Sequence, residues 1–313
     1  MSPETAMTKS DQPRGFWTAL VGAVVLCTLA ACERAPAGTY STPEEAVEAL
    51  AELAGSGDMR KAEEMFGADG VELLQSGDPV ADREDALRVK AMIAEKVAFE
   101  DLDEKTKAAI IGNEAWSFPL PLALADGRWR FDVATGREEL LNRRIGRNEL
   151  HALASLHAYV DAQREYIAAR RDGKARSYAR RFRSSEGARD GLYWAVGEGE
   201  PESPLGPLYA GAAQEALQNA EPQPFHGYLF RILEGQGKNA PGGEYSYLDK
   251  KGLMTRGFAA IAWPAKYGNS GIMTFQVNEQ GIIFQKDLGN ATDAVVAKIN
   301  AYDPDESWYP TGD

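Results

Sequence analysis

The spacing of apolar residues changes along the chain, and the changes divide it into elements. Over residues 136–171, Leu141, Ile145, Leu153, Leu156, Val160 and Ile167 recur at three-, four- or seven-residue steps, with one skipped turn near Glu149. That period predicts a long amphipathic helix with one buried face. Its only interior glycine, Gly146, is the expected position of a kink or break if the flanking halves move separately. Upstream, Thr42-Pro43-Glu44-Glu45 carries the cap, first-turn proline and capping-box glutamate of a helix start. Ala46, Val47, Leu50 and Leu53 supply its apolar face, and Gly55-Ser56-Gly57 stops it. Asp58 is placed to cap a short second helix carrying Ala62, Met65 and Phe66. A third helix is expected from about 79 to 96, with Ala86, Val89 and Ile93 inward.

The period then shortens to two. Strands are expected at 97–102, 106–111, 115–123 and 129–133, with Asp126-Gly127 turning the last pair. Beyond the long helix come residues 177–183 and then an irregular stretch, 184–224, with a short helix expected at 211–219. Residues 226–233 predict a strand buried on both faces. Further strands are expected at 245–248, 257–263, 271–277 and 282–286, and a closing helix at 291–300. The fold class is therefore α+β: helices plus an antiparallel meander in the first half, and a long central helix packed on an antiparallel sheet in the second. The expected segments are 1–31, 32–41 as a tether, 42–147 as an N-terminal unit and 148–313 as a C-terminal unit. The first unit resembles the cone-shaped nuclear-transport-factor-2-like or cystatin-like domains. The second resembles the globular part of type IV pilins, without their N-terminal methylated helix.

Residues 15–31, GFWTALVGAVVLCTLAA, are apolar and follow Lys9 and Arg14, the layout of a signal peptide. Leu29-Ala30-Ala31-Cys32 resembles the bacterial lipobox. That resemblance implies lipidation at Cys32, a membrane partner through the acyl anchor and a cell-envelope location. Glu33 favours the periplasmic face of the outer membrane under the sorting rule for such lipoproteins. Cys27 and Cys32 are the only cysteines, so the folded body has no disulfide, thiol nucleophile or cysteine-ligated metal.

The formal net charge of −13 argues against nucleic acid as a partner. A local exception is the basic run Arg143, Arg144, Arg147, Arg164, Arg170, Arg171, Lys174, Arg176, Arg180, Arg181 and Arg183. It could dock an envelope protein or a polyanionic envelope component, or it could be a solvated face paired with the acidic first half. Glu138 and Glu139 are expected in the first turn of the long helix, where they favour its dipole.

Histidines are few: His151, His157 and His226. The first two are six apart on the long helix, which does not bring them to one face as metal ligands, and they are expected on its surface. No metal site and no cofactor is expected. No Gly-x-Ser-x-Gly elbow occurs, and Gly268-Asn269-Ser270-Gly271 predicts a tight turn. The glycine-rich loop 235–243 lacks the strand-loop-helix setting of a phosphate loop. A binding cleft is drawn from Asp190, Tyr193, Trp194, His226, Tyr228, Trp263 and Tyr267, which fall in loops or at strand ends where large apolar side chains line clefts.

Several stretches carry a resemblance over nearly the whole mature chain: Thr42-Pro43-Glu44-Glu45-Ala46, Trp116-Ser117-Phe118-Pro119, Gly127-Arg128-Trp129-Arg130-Phe131-Asp132, RRIGRNEL at 143–150, YVDAQREY at 159–166, DGLYW at 190–194, ESPLGPL at 202–208, AWPAKYGNSGIMTF at 262–275 and QKDLG at 285–289. They resemble the bacterial family catalogued as domain of unknown function 2950, which implies no assigned activity. Members often have a more acidic, glycine-containing segment where this chain has Arg171-Asp172-Gly173-Lys174, so a calcium-like site is not expected there. The function expected from the residues is a membrane-anchored envelope lipoprotein with a non-catalytic binding or scaffold role. The competing expectation is an envelope hydrolase or transferase, with His226, Asp190 and Tyr228 in one pocket.

Overall fold

The computed structural model describes residues 36–169, 176–197, 199–206 and 223–312. The signal-peptide segment with Cys32, the helix expected at 211–219, and Arg170, Arg171 and Lys174 lie outside the described residues. Residues from Pro36 onward form one compact unit.

Three helices open it: α1 (Pro43–Ser56), α2 (Met59–Leu74) and α3 (Pro79–Glu95). Thr42 accepts from the Glu45 N–H at 3.2 Å, and Glu45 returns to the Ser41 N–H at 2.8 Å. Asp58 and Asp78 cap α2 and α3 in the same manner, each accepting two backbone N–H groups. Helix α2 runs past the expected Phe66 to Leu74, with non-helical backbone at Gly67. Five short strands follow, β1 (Val97–Asp101), β2 (Thr106–Ile111), β3 (Trp116–Ser117), β4 (Leu122–Ala125) and β5 (Arg128–Phe131). They form one antiparallel sheet in the order β1-β2-β4-β5, with β3 also on β2. Asp126 and Gly127 both have positive φ, 53° and 74°, as a two-residue type I′ hairpin turn requires. The first core joins Ala46, Val47 and Leu50 of α1 and Met65 and Phe66 of α2 to Ile111, Leu122 and Phe131 of the sheet.

The long helix α4 (Val133–Ala168) starts three residues before the expected Gly136, because Asp132 caps it by accepting from the Thr135 N–H at 3.1 Å. Glu138 and Glu139 consequently fall outside its first turn, and Glu139 pairs with Arg143. The helix passes through Gly146 without a break. Val133 and Leu140 pack on the first core, while Ala152, Leu156, Tyr159 and Val160 belong to the second.

The second sheet runs β12-β11-β10-β9-β6, all antiparallel. Its strands are β6 (Tyr228–Leu233), β9 (Ala259–Pro264), β10 (Met273–Asn278), β11 (Ile283–Asp287) and β12 (Tyr309–Pro310), while β7 (Gly235–Gln236) and β8 (Tyr245–Ser246) form a separate ribbon. The strand expected to be buried on both faces, β6, is an edge strand with four half-buried residues, because only β9 covers its flank. Full burial falls instead on β9, all six of whose residues are buried. The closing helix is shorter than expected. A 3-10 turn (Gly289–Ala291) leads into α5 (Thr292–Val296), and Arg231 takes the Val296 and Ile299 carbonyls at 2.6 Å each.

A buried glutamine ties the irregular segment to the helix. Gln163 donates to the Ala179 carbonyl at 2.8 Å and accepts from the Ala179 N–H at 2.9 Å. The neighbouring Tyr159 hydroxyl donates to the Ala259 carbonyl at 3.0 Å. Such paired bonds satisfy backbone groups that no ladder reaches.

Candidate functional site

The densest polar cluster lies where the first half meets the second. Its foundation is Asp78, only 2 % exposed, which caps α3 and also accepts from the Gly227 N–H at 2.9 Å. Gly227 has φ 77°, and a Cβ there would sit 2.4 Å from the Asn148 amide nitrogen. A side chain at that position would therefore be strained and would also push α4 away. Asn148 donates to the Ser270 carbonyl at 2.9 Å. One oxygen of Glu149 accepts from both the Ile272 and Met273 N–H groups at 3.0 Å. Arg144 bridges the halves, donating to the Leu73 carbonyl at 2.8 Å and to the Asn269 side-chain oxygen, while Asn269 donates to the Gln75 carbonyl at 3.3 Å.

Charge in this cluster is shaped mainly by burial. Burial pushes Asp82 above the ordinary carboxylate range, against the Ser76 hydrogen bonds and the Arg144 charge that favour its anion. It also lowers the Arg144 guanidinium, with Asp82 and Asp85 opposing. Arg147 pairs with Asp85, which also holds Arg88 at 3.2 Å. His151 and His226 stack with ring centroids 4.3 Å apart and an interplanar angle of 21°. Burial holds His151 below its ordinary range, reinforced by the facing His226 ring and by Arg147 and Arg88. Burial likewise lowers His226, with Asp78 and Asp85 pulling the other way. His151 was expected as a plain surface residue of the helix. It is exposed, yet it also carries this ring contact across the junction.

The seven residues of the expected cleft distribute differently. Asp190 accepts from the Ser185 N–H at 2.7 Å and pairs with Arg181 at 3.4 Å. Tyr193 is bonded through its backbone to Phe182 and packs on the second core, and Arg189 lies 5.5 Å over the Trp194 ring. Tyr228 is buried, donates to the Met273 carbonyl at 3.0 Å and touches the Phe275 ring. Trp263 lies on the other face of the sheet, since it pairs with Leu229 rather than Tyr228. There it donates to Asp293 at 3.2 Å, with Arg231 over its ring. Tyr267 donates to Asp287 at 3.3 Å. Two of the seven reach the junction cluster: His226 through its ring stack on His151, and Tyr228 through its hydroxyl beside Glu149. The His226, Asp190 and Tyr228 side chains have separate hydrogen-bond and ring partners, so among the described residues they form no bonded triad.

No group of three or more His, Cys, Asp or Glu among the described residues is arranged to hold a metal ion. The glycine-rich loop receives Asp303, whose carboxylate accepts from the Asn239 N–H at 2.7 Å, while Gly237 donates to the Tyr302 carbonyl at 2.9 Å. Its N–H groups thus clasp the C-terminal segment.

A family model described as "Protein of unknown function (DUF2950)" matches residues 37–311. The chain belongs to this family. No curated protein and no solved structure matches it. The family match spans both sheets and the junction, so the unit that defines the family is the whole described body.

Several junction residues escaped sequence reasoning: Asp78, Asn148, Glu149 and Asn269. Two signals pointed to them. The skipped turn in the apolar period of α4 falls on Asn148 and Glu149, and the turn at 268–271 supplies the backbone groups and the Asn269 side chain that face them.

Proposed function

We propose that the protein is a lipoprotein of the bacterial cell envelope, acylated on Cys32, with a non-catalytic binding or scaffold role at the periplasmic face of the outer membrane. The observation that carries this reading is the order of Lys9 and Arg14, an apolar run, Leu29-Ala30-Ala31 and Cys32. Lipidation by more than one chain makes attachment effectively permanent. The compact body begins at Pro36, four residues after Cys32, a span of at most about 14 Å in extended chain. On this reading the body rides close to the bilayer surface.

The non-catalytic part rests on where the polar side chains are engaged. Asp78, Asn148, Glu149, Asp190 and Tyr228 all bond to backbone groups of the fold. Groups held this way position chain segments, whereas a general acid or base must reach a substrate proton. The long helix and antiparallel sheet of the second half support a pilin-like reading of that half, used as a docking module rather than for filament assembly. Envelope proteins or polyanionic envelope components are the proposed partners.

Cys32→Ala should abolish palmitate labelling and release the protein from membranes, and unchanged labelling would contradict the anchor. Crosslinking of the native protein in envelopes should recover a reproducible partner. Recovery of none, or hydrolysis of an envelope substrate that disappears with His226→Asn, would contradict the scaffold role.

A further inference from the structure

The stacked rings of His151 and His226 lie beside the points where the two halves are fastened. Asn148, which donates to the Ser270 carbonyl at 2.9 Å, is three residues before His151 on α4. Gly227, next in the chain to His226, is fixed through both backbone groups. Its N–H donates to Asp78 at 2.9 Å, and its carbonyl accepts from the Ala265 N–H at 2.9 Å. His226 itself has φ 48°, a region that a non-glycine residue keeps only where its surroundings hold it. Its ring meets that of His151 at 4.3 Å and that of Phe225 at 4.4 Å. Displacing the His226 ring therefore pulls on a residue that fastens the halves.

The charged groups around the pair balance. From α4, Arg147 stands four residues before His151. From the cap of α3, Asp78 is bonded one residue away from His226. Asp85 of α3 pairs with both Arg147 and Arg88, so two guanidiniums stand against two carboxylates. The further carboxylates are turned to backbone N–H groups, Asp82 to Ser76 and Glu149 to Ile272 and Met273. Lys266, in the turn packed on Gly227, pairs with Glu72 at 3.7 Å. One proton on the ring pair thus meets a neutral field. A second proton puts two like charges face to face, with no carboxylate left over to offset them.

We propose that the His151–His226 stack is a pH-sensitive latch on the junction: a second proton on the pair parts the rings, withdraws His226 from α4 and loosens the Gly227 fastening. Solvent protons reach the pair, because His151 is exposed and His226 half-buried. The direction follows from linkage. Burial holds both rings below the ordinary histidine range. Between the folded midpoints and the unfolded value of about 6.5, the unfolded chain therefore binds more protons than the folded one. The latch is at full strength above that value and weakens as pH falls through the window. It acts within the folded body and holds whether or not the chain is lipid-anchored.

The protein has three histidines, and His157, exposed on α4, is an internal control. Their ring protons are followed by NMR through a pH titration of the purified protein. His151 and His226 should titrate in two steps at least about one unit apart, both below His157. The single variant His226→Asn should raise the His151 midpoint. One shared step at the His157 midpoint would overturn the proposal. Amide exchange reads the seam itself. Protection of the Gly227, Ile272 and Met273 amides, taken relative to Ala260 in β9, should fall at least about tenfold between about pH 7 and pH 5. That is the effect of one proton over one unit of pH. The double variant His151→Gln, His226→Asn keeps at 226 a residue tolerant of positive φ and should lose this dependence. An equal fall in both proteins would assign it to the carboxylates and overturn the latch, as would junction protection that does not change with pH in the unaltered protein.

Discussion

The two sheets each contain five strands, yet they are buried very differently. In the first, β1 is exposed at four of its five positions and β2 mixes buried with half-buried residues. In the second, β9 is buried throughout and β10 at five of six positions. The cause is coverage. Helix α4 lies on one face of the second sheet, and the C-terminal segment closes the other through Arg231, Trp263–Asp293 and Val296. The first sheet has the helices and Phe131 on its core side, and its edge strand β1 ends in Glu100 and Asp101, with Lys107 paired to Asp101. Charged edges discourage further strand addition. A sheet covered on both faces reads as a continuous apolar run, and a sheet covered on one face reads as alternation.

The sharpest way to break this contrast is to cut equivalent rings from the two sheets. Phe275→Ala, deep in the second core, should cost about 3–5 kcal/mol. Phe99→Ala on β1, only half-buried, should cost about 1–2 kcal/mol. Equal losses in chemical denaturation would mean that the two sheets are equally covered. Next in size is the fastening between them. Asp78→Ala removes the α3 cap and leaves the buried Gly227 N–H without its acceptor, a loss of about 2–4 kcal/mol. Asp78→Asn should recover part of it, because an amide oxygen still accepts. The smallest effect concerns α4. Gly146 is exposed, and a Cβ there meets nothing within 4 Å. Gly146→Ala should stabilise by about 0.5–1 kcal/mol, read as a rise in melting temperature, and a loss would reveal a bend that the helix needs.

Much of the fold was legible in local chemistry. Thr42-Pro43, Asp58 and Asp126-Gly127 announce helix starts and a turn through bonds to near neighbours, which sequence displays directly. Four of the five strands of the second sheet, β6, β9, β10 and β11, were placed within two residues of their bounds for the same reason, whereas the two-residue β12 was missed. Burial of β6 was misjudged because edge or centre is set by which strand pairs with it, and pairing joins residues far apart in the chain. The junction was the least legible part. Asp78 reaches Gly227, and Arg144 reaches both Leu73 and Asn269, across separations that no periodicity records. Its traces were indirect: the apolar stripe of α4 lapses at Asn148 and Glu149, and the turn at 268–271 supplies the polar groups that the helix meets there instead of a core.

The compact body from Pro36 onward implies that both cores rise and fall together, coupled by α4 and the junction. Native-state hydrogen exchange tests this most directly, by comparing the amides of Ala109 and Ile111 in β2 with those of Ala260 and Ala262 in β9. A coupled body predicts one shared maximum of protection in both strands, lowered by the same amount in Asp78→Ala. Two separate maxima, with Asp78→Ala lowering β2 alone, would contradict it.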